Sequence, residues 1–319
     1  MPDVLPLVSI VTPSFNQGRF IADTIESVLG QDYPRVEYIV VDGGSTDGTL
    51  DVLRRYADRL RWISEPDEGQ SQAVNKGWRM ARGDILAWLN SDDTYQPGAI
   101  HAVADAFMAR RDAGAVYGDC DYVSAKGEFL EKYPAHPFDY HTFIRTSRSG
   151  IPQPSMFLRR KVFDRVGSVD ESLHFALDWE YWIRVGALYP IAYLPQTLAC
   201  YRVHSTSKSA IEDLRYAIET VRVYRRLFAD PKLPADLRCF EREGMNNVLL
   251  WAAHYAFVGA HLREARRYLI EGWRHRPLHL RRFMLKVLVV SFLGRRGWSA
   301  WMRFRRWRGA KLSPFETMA

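Results

Sequence analysis

The run Y-I-V-V-D-G-G-S-T-D-G, Tyr38–Gly48, decides how the chain begins to fold. Four aromatic or aliphatic residues in succession, with no polar alternation, are the pattern of a strand covered on both faces, as in a parallel sheet. Asp42-Gly43-Gly44-Ser45 then supplies turn formers, and a helix is expected from about Thr49 to Tyr56. Working outward, the same unit recurs. Leu7–Thr12 is a β-branched run that ends in the turn Pro13–Gly18, and Phe20, Ile21, Ile25, Val28 and Leu29 follow at helical spacing. Leu60–Ser64 and Gln70–Met80 read as strand and helix, and Ile85–Leu89 runs directly into Asn90-Ser91-Asp92-Asp93. Apolar strands alternating with amphipathic helices predict an α/β fold, its parallel sheet wound through right-handed crossovers.

From Ala115 the texture changes. Ala115–Tyr117 and Phe129–Tyr133 are expected as strands of a mixed sheet, separated by an Asp-rich loop that carries Asp119 and Asp121. Ile151–Leu158 reads as a loop leading into a strand, Ala176–Leu188 as a helix and Tyr193–Val203 as extended. Beyond Ser209 the pattern is helical, with breaks at Pro231, Gly259, Pro277 and Gly294. Two domains are therefore expected, 1–210 and a helical 211–319.

The 319 residues, 47% hydrophobic and 25% charged, suit a globular chain and exclude a disordered or collagen-like one. The formal charge of +7 hides a division: residues 1–260 carry a net −5, whereas His261–Lys311 hold 15 Lys and Arg against 2 acids. An acidic body and a basic tail imply two physical tasks. Cys120, Cys200 and Cys239 are scattered, without the spacing of a disulfide framework or a zinc site, which points to a reducing compartment. The N-terminal residues show no signal-peptide pattern, so a cytosolic chain is expected. No G-x-G-x-x-G follows a strand, which argues against a dinucleotide oxidoreductase.

In a parallel sheet, ligands bind outside the carboxyl ends of the strands. Thr12–Asn16, Asp42–Asp47, Glu65–Gly69 and Asn90–Asp93 all fall at such ends. So much negative charge on one edge calls for a cation or a donor-rich ligand. The residues that carry it resemble a known family. SIVTPSFNQGRFIADTIESVLGQDYPRVEYIVVDGGSTDGT is similar to the opening of glycosyltransferase family 2, inverting enzymes of the GT-A fold. EPDEGQSQAVNKGWRMARGDILAWLNSDD resembles its second segment, QPSMFLRRKVFDRVGSVDESL and ALDWEYWIR its acceptor side, and CYRVHSTSKS its closing loop. The likeness spans roughly residues 5–210, in the family's order.

The resemblance implies a GT-A, Rossmann-like mixed sheet flanked by helices, and a role for each motif residue. Asp42 would accept from the nucleobase, with Thr12, Pro13 and Asn16 around base and ribose and Asp67 near the nucleotide. Asn75 and Lys76 would begin an edge facing sugar or phosphate, Ser91 would bind the donor, Asn90 would present a carbonyl to the metal or hydrogen-bond the sugar, and Gln153 would orient the donor sugar or the acceptor. Asn90 stands where a first Asp is frequent, so Asp92 and Asp93 would hold Mg²⁺ or Mn²⁺ against the diphosphate. His204 either adds a metal or phosphate contact or is a hydrogen-bonded structural side chain. Asp178 would be the base that takes the acceptor proton, kept ionised by the helix N-terminus, with Glu180 as second choice.

The reaction implied is transfer of a sugar from a nucleotide donor, in the usual case UDP-linked, to a saccharide or lipid-linked acceptor in cell-surface polysaccharide or glycolipid assembly. A sugar-nucleotidyltransferase and a noncatalytic nucleotide-sugar-binding protein are the alternatives. The first should carry a basic Gly-rich loop after its first strand, which TPSFNQG is not. In the tail, Phe283–Leu293 is too short for the roughly 20 residues a bilayer needs. Arg281, Arg282, Arg295 and Arg296 flank it, with Trp298, Trp301 and Trp307 nearby, which suits a helix lying on the anionic inner face of a membrane. A basic bundle capping the catalytic domain is the other reading; nucleic acid is not expected, since no readout motif accompanies the charge.

Overall fold

The computed structural model describes residues 5–208, 214–276 and 282–307. Pro277, Arg281 and residues 308–319 of the basic tail lie outside the described residues, as do the side chains of Arg282, Arg295 and Trp307.

Strand β1 (Val8–Ser14) is buried along its whole length, because it is flanked by β2 (Val36–Asp42) and β4 (Ile85–Trp88) in parallel. β3 (Arg61–Ser64) adds to the outer side of β2, also in parallel. The helices α1 (Ile21–Leu29), α2 (Thr49–Arg55) and α3 (Gln70–Met80) are the crossovers. α1 buries Ile21, Thr24, Ile25 and Val28, the one-face spacing that its sequence announces. α3 lies close against β1 at Gly77, where a Cβ would collide with the Val11 side chain.

Past β4 the sheet turns mixed. β5 (Thr94–Tyr95), β6 (Ala115–Val123), β7 (Phe129–Lys132), β8 (Phe157–Arg159) and β9 (Ile191–Arg202) extend it in the order β3-β2-β1-β4-β8-β6-β9-β5, with β7 on β6. β8 runs antiparallel to β4 and β6, while β6 and β9 are parallel. The helices that follow in the chain are α4 (Ala99–Ala109), α5 (Tyr140–Thr146), α6 (Arg160–Val166) and α7 (Leu177–Gly186), of which α5 falls almost wholly in the second unit, and Gln153–Ser155 forms a 3-10 turn before β8.

The expected loop at Gly118–Asp121 is instead the middle of β6. Pairing with β9 overrides the turn preference of Gly and Asp, at the cost of register shifts around Asp119. Cys120 faces the core and Asp119 and Asp121 the other side, where Tyr193 donates its hydroxyl to Asp119.

The described residues divide into two units, 5–140 with 149–208, and 141–148 with the segments from 214 onward. The second holds α8 (Leu214–Ala229), α9 (Ala235–Arg238), α10 (Glu241–Val258), α11 (Leu262–His275), α12 (Arg282–Phe292) and α13 (Gly294–Trp307). Residues 141–148, read on the sequence with the first domain, pack among these helices. Tyr224 donates its hydroxyl to the Phe143 carbonyl at 2.9 Å, and Asn247 its amide to the Arg145 carbonyl at 2.9 Å.

Candidate active site

The carboxyl ends of β1 and β2 are laced together by short polar side chains. Asn16, in the left-handed region at φ 52°, accepts from the Thr46 N–H, and its own N–H donates to Ser45 Oγ at 2.7 Å. The Gly18 N–H donates to Asp47, and a Cβ on Gly18 would sit 2.9 Å from the backbone of Gly48 and Thr49. The two loops can only meet this closely without a side chain there. Burial works against ionisation of Asp47, but hydrogen bonds from Thr49 and Gly18 outweigh it and hold the carboxyl below its ordinary value.

Asp42 is fully buried at the end of β2. Its carboxylate accepts from the N–H groups of Gly44 and Ser45 and from the hydroxyls of Ser45 and Ser64. It therefore shapes the Gly-Gly-Ser turn. Thr12 and Pro13 are buried within β1, and the Thr12 hydroxyl pairs with Tyr38 at 3.0 Å. Asp67, on the loop after β3, keeps part of its surface and lies against Gly43, where a Cβ would be 2.8 Å from Asp67 Oδ2. Burial, and the nearby Asp42 charge, push its carboxyl up.

Asn75 and Lys76 both have partners within the protein. The Asn75 amide is buried and fully engaged: it donates to Val169 O and Glu171 Oε1 and accepts from the Val169 N–H. With Ser71, which donates to Leu173 O, it fastens the loop before α7 onto α3. Lys76 is ion-paired with Glu65.

At the end of β4 the motif residues take different directions. Asn90 donates to Gln153 Oε1 at 2.8 Å and to Asp93 Oδ2 at 3.1 Å, and accepts from Gln70 Nε2 at 2.6 Å; Gln153 in turn donates to Trp88 O. Ser91 is buried. Asp93, only 2% exposed, turns inward and accepts from the Arg202 N–H; burial, with the adjacent Asp92 charge, drives its carboxyl far up. Asp92 turns outward, and its Oδ2 lies 3.0 Å from His204 Nε2, while His204 Nδ1 is 2.9 Å from Thr206 Oγ1 and the ring rests on Phe20. Beneath them Arg202 is buried, donating to the Asp92 and Ala125 carbonyls and pairing with Asp23. No group of three His, Cys, Asp or Glu able to hold a metal occurs among the described residues. Asp92 keeps some exposure while His204 beside it is buried; a carboxylate with an imidazole suits Mg²⁺ or Mn²⁺, which take few protein ligands and share the rest with phosphates and water.

On the far side, Asp178 lies in the first turn of α7, partly exposed, and accepts from the Trp179 N–H. The helix N-terminus does not keep it at an ordinary carboxylate value: burial dominates and pushes it up to about 6, with the Lys208 charge acting in the opposite sense. Glu180 is 8% exposed, and both its oxygens are held by Arg184, at 2.7 and 2.8 Å. Trp179, Tyr181 and Trp182 are core residues; Trp182 stacks on Trp88.

Lys208 joins these parts. Its ammonium donates to Gln70 Oε1 at 2.8 Å and to the His174 carbonyl at 3.1 Å, and its charge acts on both Asp67 and Asp178. A continuous chain of side chains thus runs Lys208–Gln70–Asn90–Asp93, with Gln153 branching from it. The Lys208 charge thus links Asp67 and Asp178, and the Asp42 charge acts on Asp67. The sequence reading did not single out Gln70, Arg202 or Lys208. An arginine within the extended run Tyr193–Val203 was the available signal for Arg202.

The profile of Glycosyl transferase family 2 matches residues 9–167. An uncharacterized glycosyltransferase of Rickettsia felis is 28% identical over 213 residues, which cover 64% of this chain and 35% of that protein. Chondroitin synthase of Escherichia coli is 29% identical over 214 residues, 66% of this chain and 31% of its own length. The chain spans about a third of either relative. Among solved structures, S. aureus TarS 1-349 in complex with UDP-GlcNAc has a TM-score of 0.63 at 17% identity, covering 84% of this chain and 81% of that one. The mannosyltransferase PcManGT from Pyrobaculum calidifontis, in complex with GDP-Man and Mn²⁺, has a TM-score of 0.61 at 20% identity, covering 96% and 85%. At these identities the likeness establishes the fold, a GT-A mixed sheet flanked by helices, with a helical C-terminal region beside it.

Proposed function

The chain belongs to glycosyltransferase family 2, and from that premise we propose that it transfers a sugar from a UDP-sugar to a hydroxyl of a saccharide or lipid-linked acceptor, inverting the anomeric carbon. What supports this reading is Lys208, whose charge acts on both Asp67 and Asp178 and whose ammonium is tied through Gln70 to Asn90 at the end of β4. The nucleotide-sugars held by TarS and PcManGT support the donor class, and the E. coli chondroitin synthase a saccharide acceptor. The setting is cell-surface polysaccharide or glycolipid assembly, at the inner face of a membrane.

Asp178 is the base. With its carboxyl at about 6 it is ionised at neutral pH yet basic enough to take a proton, the compromise that general-base catalysis favours. It removes the acceptor hydroxyl proton as that oxygen bonds to the anomeric carbon and the bond to the β-phosphate oxygen breaks. Glu180, already neutralised by Arg184, holds α7 in place. Lys208 meets the charge that grows on the departing diphosphate. Asp92 and His204 would hold Mg²⁺ or Mn²⁺, which when bound acts as a Lewis acid on the diphosphate oxygens. Asp93 and Arg202 set the position of Asp92 from behind, and Asp42 and Asn16 hold the loops around the nucleotide.

The test is release of UDP from a panel of UDP-sugars, with acceptor saccharides, in Mn²⁺ and in chelator. Asp178→Ala and Asp92→Ala should each lower transfer by about 10²–10⁴. Full transfer by either variant would overturn the assignment.

A further inference from the structure

We infer that the outer face of α12 docks the protein onto an anionic lipid surface, and this rests on the proposed setting at a membrane. α12 is apolar on two sides. Met284, Val287 and Val290 pack inward and are buried. Leu285, Val289 and Phe292 point the other way and are 52%, 59% and 70% exposed, followed by Leu293 at 64%. Those positions fall at i, i+4, i+7 and i+8, one stripe on one side of a helix. A lone exposed leucine needs no explanation, but a contiguous stripe of four does.

The rim of the stripe is basic. The Arg266 guanidinium of α11 lies 4.7 Å over the Phe292 ring, and Arg296, in the first turn of α13, is exposed. A cation held on an aromatic ring at the edge of an apolar strip is the arrangement that sets rings and methyls among acyl chains and charge among lipid phosphates. The occupant follows from charge. The segment His261–Lys311 holds 15 Lys and Arg against 2 acids, so a second copy would bring like charge against like. An anionic bilayer brings the opposite charge and an apolar layer together. No helix among the described residues is long and apolar enough to cross a membrane, which fits a helix lying along the surface.

The experiment is flotation of the full chain with phosphatidylcholine vesicles, alone or with about 30% phosphatidylglycerol, in about 50 mM and about 500 mM salt. Binding to the phosphatidylglycerol vesicles at low salt, weakened at high salt and on the neutral lipid, is expected. Leu285→Ser combined with Phe292→Ser should weaken it about tenfold or more. Both side chains are exposed, so the melting temperature and its shift with UDP should stay as in the parent chain. An Asp178→Ala chain should float normally, so loss of transfer and loss of docking are separable. Absence of flotation at low salt, equal binding to both lipids, or unimpaired binding by the double variant would each overturn the inference. So would a dimer in size-exclusion chromatography that the double variant abolishes, because a second copy would then be the occupant.

Discussion

Asp178→Asn should give a more stable protein and a nearly inactive enzyme. The folded chain raises this carboxyl from 3.8 to about 6, through burial. Two units correspond to about 3 kcal/mol at roughly 1.4 kcal/mol per unit. Asp178 keeps some solvent exposure, so screening should reduce this to about 1–2 kcal/mol. The sign follows from which state holds the proton. Between about pH 4 and 6 the folded chain binds a proton that the unfolded chain has released. The contribution to stability is fully present below the unfolded value and lost as pH rises through about 6, so at neutral pH the ionised Asp178 destabilises the fold. Asparagine keeps the carbonyl that accepts from the Trp179 N–H but has nothing to ionise. Urea unfolding of the catalytic unit, followed by tryptophan fluorescence, should show no gap between variant and parent near pH 4 and a gap of about 1–2 kcal/mol near pH 7.5. Transfer by the variant should fall about 10²–10⁴. A stability gap that does not change with pH would refute the reasoning, even with activity lost, because the ionised carboxylate would then not be what destabilises the fold.

Glu180→Gln should retain most of its transfer yet lose about 1–3 kcal/mol of stability, since it breaks the buried pair with Arg184; kcat and the urea midpoint separate the two effects. Lys208→Met removes the positive charge that opposes the rise at Asp178, so the acid limb of the rate-against-pH profile should move above about 6 and the donor KM should rise. Gly18→Ala sets a methyl 2.9 Å from the Gly48–Thr49 backbone and should cost about 1–3 kcal/mol while weakening UDP binding, read by calorimetry.

The parallel half of the sheet was legible because its signals are local: β1, β2 and β4 are rich in β-branched and apolar residues, and α3 has the same ends in the sequence and in the fold. β6 was not, because its continuation past Tyr117 depends on β9, some 75 residues later, while Gly118 and Asp119 locally favour a turn. α4 does carry a local signal, since Ala99, Ile100, Val103 and Phe107 keep helical spacing and are buried on one face.

The site shows a deeper limit. The sequence points to the strand ends, because polar residues there mark the edge where loops and ligand meet. It did not say which of them face the ligand. Asp42, Asn75 and Asp93 spend their hydrogen-bonding capacity within the protein, whereas Asp92 and Asp67 keep part of theirs outward. Holding a glycine-rich turn and holding a nucleotide call for the same short acceptors in the same places, so residue type cannot separate the two tasks. Only Glu180 carried a local sign of its fate, Arg184 four residues on, where a helix brings opposite charges together. A carboxylate with a cation at that spacing is already neutralised, which is why, of the two acids in α7, Asp178 is the one proposed as the base.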